Sequence, residues 1–202
     1  MSFSPKEYID SWQEYLDQLE NLNIFACIEN KNVLEIGTAE GLFWKLYRKY
    51  NPLSITGLDP DSRWNLISGI EEKDMIRESY DTYLPKTGYD VIICFGLLYK
   101  LHSPLHLLQL MAQSRPEYII LEDDANNEVI TCSPLMPYST GKLGELVMSD
   151  DVYCPYVTRL PMNIIISAME SMSYKLENSH KTKTEHPSKL NTRQFIFKRE
   201  II

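Results

Sequence analysis

Residues Val33-Leu34-Glu35-Ile36-Gly37-Thr38-Ala39-Glu40-Gly41 pass from an apolar strand, through a loop almost without side-chain bulk, into a helix. In α/β proteins, ligands lie in the crevice outside the carboxyl ends of such strands. Gly37, Ala39 and Gly41 let a ligand approach the loop amides. The predicted helix from Glu40 to Tyr50 turns its N-terminus toward the same place. The next apolar strand, Ser54–Leu58, ends in Asp59, an acid placed to accept both hydroxyl protons of a ribose. Glu35 and Glu40 keep the neighbourhood negative, which suits an ammonium and a sulfonium better than a pyrophosphate. The cofactor these groups predict is S-adenosylmethionine (SAM), and the chemistry is transfer of its methyl group. A nicotinamide dinucleotide calls for G-x-G-x-x-G, and counting from Gly37 the second and third glycines are Ala39 and Leu42. The Gly-Lys-Ser/Thr of a P-loop is absent as well.

Methyl transfer needs a nucleophile aligned behind the methyl carbon and, for some acceptors, a base. His102, just after the fourth predicted strand, reads either as a general base or as a helix-entry residue beside Ser103; Tyr99 is the second candidate. His106 reads as structural. Glu122-Asp123-Asp124, with Asn126 nearby, reads as a solvated strand end or as substrate contacts. Acids and an amide of this kind also suit Mg²⁺. No partner acid follows strand four, where Gly96 and Leu97 stand, so no metal is expected. Tyr138, Tyr153 and Tyr156 read as the lining of a cavity for an aromatic or sugar-like substrate, and Arg159 as a contact for an acidic group. Lys181, Lys183, Lys189 and Arg193 form either a solvated turn or a phosphate or RNA contact.

Alternating strands and helices must position these groups. Ser4-Pro5-Lys6-Glu7 opens an amphipathic helix with Tyr8, Trp12, Tyr15, Leu16 and Leu19 on one side, which either packs on the sheet or lids the pocket. A helix with Trp64 and Ile67 is expected from Asp61 or Ser62 to Ile70, and a short strand near Met75–Glu78. Tyr89–Phe95 reads as a central parallel strand, and Glu117–Leu121 as the fifth. Between them a helix opens at Ser103-Pro104 with Leu105, Leu108 and Met111 inward. Residues 123–158 show no clean period and read as an irregular substrate-side insertion. Pro161–Met172 is helical, and Tyr174–Glu177 and Gln194–Lys198 form a closing strand pair around a polar, basic turn at His180–Asn191.

The 202 residues suit one domain spanning 1–202, in which residues 1–28 hold the N-terminal helix. A net charge of −8 repels a phosphate backbone, so nucleic acid is disfavoured as a bulk partner and a small molecule is expected. Cys27, Cys94, Cys132 and Cys154 are widely spaced and read as free thiols in a reducing, cytoplasmic setting. No signal peptide or membrane span is read in the sequence.

Glu35–Gly41 resembles the first motif of the class I SAM-dependent methyltransferases, with Ala39 where many members have glycine; Gly57-Leu58-Asp59-Pro60-Asp61 resembles the second, and Tyr89-Asp90-Val91-Ile92 that of the fourth strand. The resemblance implies a Rossmann-like, doubly wound sheet of order 3-2-1-4-5-7-6 with strand seven antiparallel. It also implies that Gly37, Thr38, Ala39 and Gly41 face the methionine part of SAM, and that Asp59 holds the ribose. Pro60 and Asp61 would lie beside ribose and adenine, Glu78 and Ser79 at the adenine edge, and Phe95, Gly96 and Leu97 beneath the sulfonium. Gly96-Leu97-Leu98-Tyr99-Lys100-Leu101-His102-Ser103-Pro104-Leu105 further resembles a stretch of the tRNA wobble-uridine carboxymethyltransferases, with Lys100 where that group has histidine. The resemblance covers the core and leaves three readings beside small-molecule methylation: tRNA modification, a SAM-binding module without transfer, and a SAM-consuming reaction other than methylation.

Overall fold

Val33, Leu34 and Ile36 are buried from both sides, so the first strand, β1 (Asn32–Ile36), lies at the centre of a sheet with no face left to solvent. The computed structural model describes residues 5–60, 70–123, 131–134, 156–182 and 192–200. Its main sheet also contains β2 (Ser54–Leu58), β3 (Met75–Ile76), β4 (Val91–Phe95), β5 (Tyr118–Asp123), β8 (Tyr174–Lys181) and β9 (Arg193–Arg199). These seven strands run in the order β3-β2-β1-β4-β5-β9-β8. The first five are mutually parallel, and β9 is antiparallel to both neighbours. This is the expected 3-2-1-4-5-7-6 order with its seventh strand reversed.

Two helical layers cover the sheet. Leu34, Ile36, Cys94, Leu121, Phe195 and Phe197 face α3 (Tyr80–Tyr83), α4 (Pro104–Gln113) and α5 (Met162–Ser171). Val33, Val91, Ile93, Ile120 and Ile196 face α1 (Pro5–Asn21) and α2 (Trp44–Arg48). Tyr15 and Leu19 anchor α1 in that second layer, with Trp12 and Leu16 half-buried at its margin. Phe195 and Phe197 share one face as their spacing predicts, with ring centroids 6.1 Å apart.

Several boundaries differ from expectation. The helix expected from Glu40 is α-helical only from Trp44, because Gly41 donates to the Thr38 carbonyl at 2.8 Å and sits at φ +73°, which no helix permits. In α4 the buried positions include Leu107, Leu108 and Met111, while Leu105 is exposed. β5 continues through Glu122 and Asp123, which pair with Gln194 and Arg193 of β9 and are completely buried. They are not a solvated strand end. His180 belongs to β8 rather than to a turn. Within the stretch read as irregular, Thr131–Pro134 (β6) and Tyr156–Arg159 (β7) pair as antiparallel strands. The expected helix at 61–69, with Asp61, Trp64 and Ile67, lies outside the described residues. Cys94 is buried and Cys27 half-buried, both as free thiols raised by burial, Cys27 to about 12. No described helix is long and apolar enough to cross a membrane.

Gly57 sets the spacing between β2 and the loop after β1. A Cβ there would come within 2.4 Å of Met75 Sδ and 2.6 Å of Thr38 Oγ1. Gly57→Val should therefore destabilise the fold by about 1–3 kcal/mol, the cost of overpacking a filled core. Urea denaturation measures it, and an unchanged midpoint would contradict this packing.

Candidate active site

The carboxyl ends of β1, β2 and β4 finish in register, with Ile36 beside Leu58 on one side and Cys94 on the other. From that line the chain leaves β1 through three positive-φ residues, Gly37 (+79°), Ala39 (+45°) and Gly41 (+73°). The left-handed turns fold the loop back onto the sheet edge. Gly37 donates to the Leu58 carbonyl at 2.9 Å, and Asp59 Oδ2 accepts from the Ala39 N–H at 2.8 Å. A carboxylate on β2 thus fixes the amide frame of the loop after β1, with Asp59 itself only 4% exposed.

Beneath the loop, the Glu35 carboxylate is buried and accepts from Trp44 Nε1 and from the Tyr47 hydroxyl, each at 2.7 Å. Glu35 therefore braces the loop and α2 from inside, on the same face as Val33. Its expected place among cofactor contacts is corrected to that extent. Thr38 is likewise turned inward, its hydroxyl donating to the Glu35 carbonyl at 3.3 Å. Burial pushes the Glu35 carboxyl up to about 7, while the Tyr47 and Trp44 donors pull it down.

A narrow crevice opens beside this loop, lined by Ile36, Gly37, Leu58, Pro60, Glu78, Ser79, Tyr80 and Leu97. Leu97 Cδ2 lies 3.2 Å from where a Gly37 Cβ would stand, so glycine is what leaves the floor open. Apolar walls, an acidic rim at Glu78 and a bulk-free amide loop fit a nucleoside bearing a cationic tail. Pro60, Glu78, Ser79 and Leu97 thus line one crevice. Ser79 also caps α3, accepting from Asp81 N–H at 3.4 Å. Tyr80 was missed by the sequence, since only the α3 turn brings it to the crevice. Phe95 closes β4 and is buried, and Gly96 follows at φ +65°.

The catalytic candidates sit just beyond. Tyr99 is half-buried in the turn Leu98–Lys100, with Lys100 Nζ 5.5 Å from its ring centroid, and His102 is exposed one turn later. His106 pairs with Asp81 at 3.1 Å, in keeping with a structural role. β7, which carries Tyr156 and Arg159, packs against this same turn, although their side chains are outside the described set. Asp61, Asp124, Asn126, Tyr138, Tyr153, Lys183 and Lys189 also lie outside the described residues. Among the described residues, no three or more His, Cys, Asp or Glu side chains gather as metal ligands.

Since its carboxyl is raised above the ordinary 4.5, folded Glu35 holds a proton that the unfolded chain has released. Stability from this site is full below about pH 4.5 and falls as pH rises toward 7. Glu35→Gln should flatten that fall, by roughly 2–3 kcal/mol across the window. Urea denaturation of both proteins from pH 4.5 to 8 measures it; parallel curves would contradict the buried clamp.

Known proteins share this fold. A family model described as a methyltransferase domain matches residues 7–145. A tRNA U34 carboxymethyltransferase of Nautilia profundicola is 33% identical over 121 residues, 52% of this chain and 39% of that enzyme. The chain therefore spans about two-fifths of that relative's length. Among solved structures, a 1,6-didemethyltoxoflavin-N1-methyltransferase of Burkholderia thailandensis, bound to its substrate and S-adenosylhomocysteine, aligns with a TM-score of 0.64 at 8% identity, covering 100% of this chain and 92% of its own. The N-methyltransferase NodS of Bradyrhizobium japonicum WM9, in complex with S-adenosylhomocysteine, aligns at 0.62 with 12% identity, covering 95% and 88%. With the sheet order, the left-handed loop and a family match over more than half its length, the chain belongs to the methyltransferase-domain family and has the fold of the SAM-dependent methyltransferases.

Proposed function

We propose that this chain transfers the methyl group of SAM to a small molecule. The observation that carries the reading is the crevice at the ends of β1, β2 and β4, where a bulk-free amide loop is tied to an acid one strand away. SAM supplies an electrophilic methyl on a sulfonium. Gly37, Thr38, Ala39 and Gly41 take its methionine part along the loop backbone. Asp59, which holds Ala39, also accepts from the ribose hydroxyls. Pro60 and Asp61 flank the ribose, Glu78 and Ser79 meet the adenine edge, and Phe95, Gly96 and Leu97 lie under the sulfonium. His102 or Tyr99, in the turn after β4, takes the acceptor proton where one must leave. Tyr138, Tyr153, Tyr156 and Arg159 complete the acceptor side.

A small acceptor is favoured by charge. The net charge is −8, and Asp59, Glu122 and Asp123 are buried at the carboxyl edge of the sheet. Such an edge repels a polyanion and attracts a cation or a neutral donor. The similarity to a tRNA carboxymethyltransferase favours a second reading, RNA modification by the same core.

Asp59→Ala should weaken SAM and S-adenosylhomocysteine binding by about 1–3 kcal/mol, the scale of hydrogen bonds to a charged group, as read by calorimetry. Equal affinity in the variant would overturn the ribose placement. With methyl-labelled SAM, label should enter the small-molecule fraction of a cell extract and not purified total tRNA. Label in the tRNA, with salt-sensitive filter binding, would replace the first reading by the second.

A further inference from the structure

Beyond the cofactor crevice, the sheet register sets Phe95, Glu122 and Gln194 side by side on one face, at the carboxyl edge of β4, β5 and β9. All three are buried, Glu122 and Gln194 completely. Gln194 Nε2 donates toward Glu122 Oε2 at 3.4 Å and to the Tyr15 hydroxyl of α1 at 3.1 Å. The Thr182 and Thr192 hydroxyls lie on the same side of that amide nitrogen, at 3.4 and 3.5 Å, so all four contacts of the Gln194 amide are made by its nitrogen. The consequence is an amide oxygen, Gln194 Oε1, that is buried and has no hydrogen-bond partner among the described residues. An unsatisfied buried acceptor is costly, so it marks a place where a donor is missing.

Aromatic rings stand over this polar row. Phe43 lies edge-on to Phe95 with centroids 5.3 Å apart and to Tyr15 at 6.3 Å; Tyr15 in turn lies edge-on to Trp12 at 5.9 Å. Phe43 and Trp12 keep part of their surface open to solvent. Tyr15 belongs to both layers, its ring in the aromatic wall and its hydroxyl on Gln194. Phe95 joins the row to the end of β4, where the sulfonium is placed.

Resting on the methyltransferase reading, we infer that this juxtaposition is the acceptor subsite, and that it takes a planar nitrogen base whose N–H groups meet Gln194 Oε1 and Glu122 while its ring lies against Phe43 and Tyr15. The amide oxygen asks for a donor and the neighbouring carboxylate favours a cationic one, which an amine or a ring N–H supplies and an acidic ligand does not. A cationic nitrogen gains further from the faces of the rings.

The test measures ligand binding in the presence of saturating S-adenosylhomocysteine, using tryptamine, histamine and adenine as probes and indole-3-propionate as the acid control. At least one base should bind and the acid should not. Gln194→Leu and Glu122→Gln should each weaken that base by about tenfold or more, the loss expected when a hydrogen bond to a charged or buried group is unmade. Their affinity for S-adenosylhomocysteine should stay within about twofold, as for independent sites. Tyr15→Phe, which removes one oxygen and keeps the ring, should weaken the base to a smaller degree and serves where the other variants do not fold. Binding of the acid as tightly as the bases, absence of binding by every base, or bases unaffected by the substitutions would overturn the subsite. Base binding without any binding of S-adenosylhomocysteine would instead overturn the methyltransferase reading and leave the base site standing.

Discussion

A carboxyl group buried in the middle of a protein must have its oxygens matched by donors, or its burial is costly. Glu35 is that group here, at the end of the central strand, with Trp44 and Tyr47 each donating to one of its oxygens. Both donors come from α2, so the same contact that satisfies the buried carboxyl sets the helix against the sheet. The loop between them, Gly37 to Gly41, has both ends fixed and is held at its middle by Asp59. Its backbone can then be bent through three left-handed positions without giving way. The crevice is a by-product of this bracing: the loop cannot collapse over it, because Glu35 draws one flank inward and Asp59 holds the other.

The fold was open to reading because its strands are apolar runs of ordinary length with turn residues between them. β1, β2 and β4 are each five residues, and their pattern needs no knowledge of distant partners. The loop was legible for the same reason, since its small residues are consecutive. Long-range packing was not legible. Glu122 and Asp123 look like a polar strand end until β9, some seventy residues later, pairs with both and covers them. Glu35 looks like a rim acid until Trp44 and Tyr47 are seen to turn back onto it. Leu105 matches a helical period yet faces solvent, because the sheet takes Leu107, Leu108 and Met111 instead. Gly57 was legible as the first residue of the second motif but not as a packing position, although its missing side chain is what admits Thr38 and Met75.

Four buried acids fall along one edge of the sheet. Glu35, Asp59, Glu122 and Asp123 are all buried at the carboxyl ends of parallel strands. The ion pairs Lys31–Glu117, Lys49–Glu20 and Arg77–Glu72 are at least partly exposed. Exposed pairs of this kind contribute little to stability. Asp59, Glu122 and Asp123 make this edge acidic from inside the fold, where a low dielectric strengthens their interactions.

The hydrogen bond from Gln194 to Tyr15 joins residues near opposite ends of the sequence. Between them, β9 lies inside the sheet, flanked by β5 and β8, and not at its border. During synthesis, β5 must therefore wait with a bare ladder edge until β9 leaves the ribosome, and α1 cannot close its polar contact before then. Such late, distant pairing slows folding and exposes an adhesive edge in the meantime. The order of strands that builds the cofactor crevice early thus leaves the other half of the carboxyl edge to be finished last.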